Sequence, residues 1–112
     1  MKVTPPEALT CAAFTALVQT NFRVWLDAQS SVDLKLYEVT PPRTVLVAGP
    51  TPMTSEYFAL TFTGPADRFL TQGNYVFESA VLGRFDLFIV PASRDTQSAT
   101  YQATFNRLVK TT

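Results

Sequence analysis

Apolar and polar residues alternate with a period of two over most of this 112-residue chain, a pattern that predicts strands rather than helices. Phe22, Val24 and Leu26 interleave with Arg23 and Trp25. After a polar, turn-like stretch at 27–31, Val32, Leu34 and Leu36 interleave with Asp33 and Lys35. The phase then slips by one residue at Leu36-Tyr37, so that Tyr37 and Val39 become the apolar set. Such a slip predicts a β-bulge or a strand that crosses to another sheet. Thr40-Pro41-Pro42 closes that strand. Residues 43–55 are the least regular: 45–47 suffice for a short strand, but Gly49-Pro50-Thr51-Pro52 forbids a long one. The segment reads as a long surface loop. Alternation resumes over 57–63, with Phe58, Leu60 and Phe62 inward, and Gly64-Pro65 ends it.

The second half is cleaner. Tyr75 and Phe77 share one face of a strand over 74–79, and Phe85, Leu87 and Ile89 share one face of its return over 84–91. The short connection between them predicts a hairpin. Phe88 and Val90 make the other side of the return strand apolar as well, which predicts a strand that is central or covered on both faces. A polar loop over 92–99 precedes a last strand in which Tyr101, Ala103 and Phe105 alternate with polar residues.

Only the N-terminal region departs from this rhythm. Residues 1–8 read as an extended arm. Thr10 then caps a short helix over 11–18, with Phe14, Leu17 and Val18 at the spacing of one buried face. A helix that short must lean on the sheet. The fold class is therefore mainly β, an antiparallel sandwich or small barrel of six to seven strands with one short N-terminal helix. Residues 1–112 form one domain, because two cores are improbable at this length.

Composition sharpens the picture by exclusion. A hydrophobic fraction of 46% and nine phenylalanines supply a core without disulfides or metals. Nine Lys and Arg balance nine Asp and Glu, and no two basic residues are adjacent. Nucleic-acid binding and polybasic membrane attachment both need clustered cations, so neither is expected. No apolar run is long enough to span a membrane. The start of the chain is not that of a signal peptide, which predicts synthesis and folding in the cytoplasm. Export as part of an assembly, by a route that reads no N-terminal signal, stays open.

Candidate chemistry is sparse. The chain has no histidine, which removes the commonest general base, every Ser-His or Cys-His dyad and most transition-metal sites. Its one cysteine, Cys11, reads as a small apolar residue of a half-buried helix. The four glycines are isolated and build no phosphate loop. The carboxylates are dispersed and read as solvated strand faces. No catalytic residue, cofactor or metal is expected. Two surfaces remain as candidate interfaces. Trp25 points outward with Arg23 if Phe22, Val24 and Leu26 face the core, and it either anchors a contact or is covered by the helix or arm, the reading favoured here. Val45, Leu46, Val47 and Met53 place apolar side chains beside prolines in the irregular segment.

The order of pieces also carries a resemblance. Leu9-Thr10, Phe14, Leu17-Val18 and Thr20-x-Phe22-Arg23-Val24 open it. Leu34-x-Leu36-x-x-Val39 and Phe58-x-Leu60-x-Phe62-x-Gly64-Pro65 continue it. Leu70-x-Gln72-Gly73-x-Tyr75, Gly83-x-Phe85-x-Leu87-Phe88-x-Val90-Pro91 and Tyr101-x-Ala103-x-Phe105-Asn106 close it. From about Leu9 to Arg107 the chain resembles a small bacterial domain family of unknown function, whose members are often encoded near phage tail-collar-like proteins. Gln19 stands where that pattern has glycine. The resemblance implies no catalytic residues, only a neighbourhood of tail-like or fibre-like machinery.

Three readings follow. The leading one is a non-catalytic structural or interaction protein: a subunit, adaptor or chaperone of a phage-tail-like or fibre-like assembly, with a protein partner or self-assembly through strand edges or the arm. The second is a small-ligand or carbohydrate-binding β module built around Trp25. A concave polar groove beside Trp25 would favour the second, and a flat apolar patch the first. An enzyme acting through converging carboxylates ranks last.

Overall fold

In the computed structural model, residues 9–41, 43–47, 49–50 and 53–110 are described, the side chains of 44, 47, 56 and 106–110 excepted. The expected arm over 1–8 lies outside the described residues. The elements run α1 (Cys11–Thr15), β1 (Asn21–Trp25), β2 (Ser31–Val39), β3 (Arg43–Val47), β4 (Met53–Pro65), β5 (Gly73–Ser79), β6 (Gly83–Arg94) and β7 (Ser98–Lys110). Every strand pairing is antiparallel, in the order β2-β1-β5-β6-β7-β4-β3, and a further β2–β4 pairing closes six strands into a barrel. Closure removes sheet edges, and a six-stranded interior is narrow enough for side chains to fill.

The inward residues are those the alternation selected. Phe22, Val24, Leu34, Leu60, Phe62 and Ile89 are wholly buried. Phenylalanine rings dominate, with Phe22 edge-on to Phe62 and Phe85 and with Phe62 against Phe77. Thr10 caps α1 as expected, its hydroxyl accepting from the Ala13 N–H at 3.1 Å. The helix is shorter than the expected 11–18 and passes into a turn after Thr15. It closes one end of the barrel by inserting Phe14 among Phe22, Phe58, Phe85 and Phe105. Those rings belong to β1, β4, β6 and β7, so one side chain fills the space where β6 and β7 part. A 3-10 turn, Ala66–Arg68, covers the other end. The Arg94 Nη2 donates to the Ala66 carbonyl at 2.8 Å, and its guanidinium lies 4.6 Å from the Phe69 ring centroid. Cys11 is half-buried, with Sγ 3.6 Å from the Thr40 carbonyl.

The predicted phase slip is a bulge. The β2–β4 register shifts between Leu36 and Glu38, just where β2 leaves β1 and takes β4 as its partner. Tyr37 is the extra residue and turns outward, 57% exposed. It therefore does not join the apolar set; Val39 does.

Two expectations about loops are corrected. Within the expected surface loop over 43–55, residues 43–47 and 53–55 are strand, the short strand at 45–47 among them: β3 pairs with the first part of β4, from Arg43↔Tyr57 to Val47↔Met53. β2 and β3 lie end to end along the same edge of β4, with Thr40 and Pro41 following the end of β2. The hairpin extends the sheet past the barrel, with β7 continuing along its other edge to Lys110. The polar loop expected over 92–99 shrinks to a tight turn, because β6 runs on to Arg94 and β7 begins at Ser98. A bulge between Pro91 and Ser93 lets the strand carry a proline. Asp95 Oδ1 then accepts from the N–H groups of Gln97 and Ser98, both at 2.8 Å. Asp27 Oδ1 builds the β1–β2 turn in the same way, from Gln29 and Ser30.

Of the two readings of β6, central or covered on both faces, the first holds and the second does not. It is central, between β5 and β7, but Phe88 is 46% exposed and Val90 41% exposed on the outside of the barrel. Hydrophobic alternation locates a strand face without saying whether another layer lies over it.

Candidate functional site

Outward positions of neighbouring strands fall into rows fixed by register. Asp33 lies opposite Arg23, Arg23 opposite Glu78, and Glu78 opposite Arg84. Charge thus alternates in sign across β2, β1, β5 and β6, the arrangement that favours cross-strand pairs. The next row runs Ser31, Trp25, Val76 and Asp86. Trp25 therefore lies outward beside Arg23, as the alternation of β1 predicts.

Of the two covers expected for it, the arm over 1–8 lies outside the described residues. Among the described residues the cover comes from neighbours on the same sheet, not from α1, whose Phe14 lies in the interior. The Arg84 and Arg23 guanidinium carbons lie 5.1 and 5.6 Å from the indole centroid, within the range of cation–π attraction. The indole Nε1–H donates to Glu78 Oε1 at 2.9 Å, and Arg84 Nε donates to the same oxygen at 3.2 Å. The hydrogen bond from Trp25 does most to hold the Glu78 carboxyl below its ordinary pKa, and the Arg84 hydrogen bond and charge add to it, with Arg23 contributing less. Partial desolvation opposes the shift.

Beside this network is a groove of about 520 Å³ at the rim of the barrel, where β1 and β5 diverge beyond their last shared pair. Trp25, Leu26 and Val76 supply apolar lining; Asp27, Asn74 and Arg84 supply polar lining. A smaller hollow of about 250 Å³ lies on the other side of the charge row, lined by Asn21, Arg23, Asp33, Glu78 and Ala80.

The other predicted interface residues lie elsewhere. Ser31, at the start of β2, pairs with Trp25, and the chain runs the length of β2 before reaching β3. Val45 and Leu46 are thus separated from Trp25 by that whole strand, at 54% and 72% exposure on the projecting hairpin. Met53 is half-buried opposite Val47, whose side chain is outside the described residues. Among the described residues β3 has a strand partner on one edge only.

Glu78 and Arg84 were not among the residues singled out from the sequence. Both flank the predicted β5–β6 hairpin turn at paired positions, so their mutual contact is legible there. Their meeting with Trp25 depends on the β1–β5 pairing, across more than fifty residues of chain, which no local pattern specifies. Among the described residues no three Cys, Asp or Glu side chains gather as a metal site, and no helix is long and apolar enough to cross a membrane.

Residues 9–105 match the family described as "Domain of unknown function (DUF6916)". No curated protein and no solved structure matches the chain. Because the match spans most of its length, the chain belongs to that family.

Proposed function

We propose that this DUF6916 member is a non-catalytic interaction protein that docks a partner chain by strand addition on the projecting hairpin, as subunit, adaptor or chaperone of a phage-tail-like or fibre-like assembly. The observation that carries the reading is the outer edge of β3. Edge strands that avoid association bear charges, prolines or bulges; here Val45 and Leu46 stand exposed, and Arg43 is the only charge in the strand. An extended strand of a partner would complete main-chain hydrogen bonds along that edge, with side-chain contacts to Val45 and Leu46 setting specificity. A neutral net charge leaves little self-repulsion to oppose assembly. The family's frequent proximity to tail-collar-like proteins, implied by the resemblance, points to such proteins as partners.

The test is native mass by light scattering, for the chain alone and mixed with the products of its neighbouring genes. Assembly by the parent chain and its loss in Val45→Lys/Leu46→Lys, with melting unchanged, is the expected result. A monomer that ignores those neighbours, or assembly indifferent to the two lysines, overturns the reading.

A further inference from the structure

We infer that the groove beside Trp25 is a saccharide-binding site, independent of the docking edge on β3. A pyranose ring has an apolar C–H face and a rim of hydroxyls, and the groove pairs the same two features. Its apolar floor is made by Trp25, Leu26 and Val76, with Leu26 40% exposed although it continues an inward-facing register. Around that floor stand an acceptor, a donor and a group that is both. Asp27 commits Oδ1 to the β1–β2 turn and, among the described residues, leaves Oδ2 without a partner. Arg84 commits Nε to Glu78 and, among the described residues, has no hydrogen bond from its two Nη atoms. Asn74 is exposed and, among the described residues, makes no side-chain hydrogen bond.

The ion-pair network gives this site its rigidity. Glu78 holds the indole through Nε1 and Arg84 through Nε, while Arg23, which lines the hollow rather than the groove, lies against the same indole. Two residues of the floor and rim are therefore oriented before any ligand arrives, which lowers the entropy lost on binding. Charge argues against an anion. Glu78 already pairs with Arg84, and Asp27 stands at the rim, so the groove presents no excess of positive charge. The polar rim argues against a purely apolar ligand. The volume falls within the range of small-molecule sites, about 300–1,000 Å³.

Trp25 is the one tryptophan of the chain, so its emission and its indole N–H resonance report this groove without a label. The probes are maltotetraose, cellotetraose and chitotetraose, each titrated to about 10 mM to reach weak affinities. The expected result is a saturable change in both signals with at least one of the three. Asn74→Ala and Arg84→Gln are each expected to weaken that binding roughly tenfold, the scale of one or two lost hydrogen bonds. Asn74→Ala should leave the melting temperature unchanged, so that loss of affinity is not loss of fold. Silence with all three sugars overturns the inference, as does binding that neither substitution alters. A response to inorganic phosphate in place of the sugars also overturns it and marks an arginine anion site.

Discussion

Tyr101 and Leu70 are 31 positions apart, and inside the barrel the Tyr101 hydroxyl accepts a hydrogen bond from the Leu70 backbone N–H at 2.9 Å. The phenol is wholly buried, and the Phe69 ring packs 5.9 Å from it, so this bond ties the covering segment after β4 to the central strand β7. Tyr101→Phe keeps the ring and strands a buried N–H. It is expected to cost about 1–3 kcal/mol. Urea unfolding should show a lower midpoint at unchanged slope.

Gln19 holds the left-handed backbone conformation, with φ at 76°, where α1 turns into β1. Its N–H donates to the Leu36 carbonyl at 2.7 Å, which fixes that geometry by extending the β1–β2 ladder. A side chain there costs about 1–2 kcal/mol, part of which glycine returns as unfolded-state entropy. Gln19→Gly should therefore stabilise the fold by about 0.5–1 kcal/mol, while Gln19→Val should destabilise it. Thermal melts of the two variants beside the parent decide the sign.

Glu78 has its carboxyl held below the ordinary value of 4.5, first by the Trp25 N–H and then by Arg84. A depressed folded value means that the stabilisation is fully present above 4.5 and is lost as pH falls through the folded value. The Glu78 carboxyl carbon, followed by NMR, should titrate with a midpoint below 4.5, and Trp25→Phe should move that midpoint upward. Asp95 shifts in the same direction, through the N–H groups of Ser98 and Gln97. Acid should thus loosen both the Trp25 network and the β6–β7 turn, each as pH falls through the folded value of its own carboxyl.

Gly64 lies in β4 opposite Ala99, and a Cβ there would collide with the side chain of Leu34, which is wholly buried in the core. Gly64→Ala is expected to cost about 1–3 kcal/mol through overpacking. In Gly64→Ala/Leu34→Ala the loss should be smaller than the sum of the single losses. A melt for each of the four proteins completes the cycle.

Much of this architecture is legible in alternation alone, and the exceptions are physical. The inward set at Phe22, Val24, Phe58, Leu60 and Phe62, the bulge at Tyr37 and the β5–β6 hairpin all follow from period and phase. The projecting hairpin does not, because Gly49, Pro50 and Pro52 signal a break over a span too short to reveal strands on both sides of it. Trp25 is legible as outward and Arg23 as its neighbour on the same face. The rest of the groove comes from β5 and β6, which reach Trp25 only through barrel closure. The exposure of Phe88 was hidden for a related reason: an apolar strand face looks the same in sequence whether it is covered or bare.

β4 and β7 are each 13 residues long and remain paired from Pro65↔Ser98 in the barrel to Met53↔Lys110 in the projecting hairpin. Traction on the hairpin along its strands would therefore load that ladder in shear, with many hydrogen bonds sharing the force at once. A tip hung on a loop would peel away one bond at a time. Here the tip is a continuation of the barrel wall, and a load taken at one end of the molecule arrives at the other with the intervening structure intact.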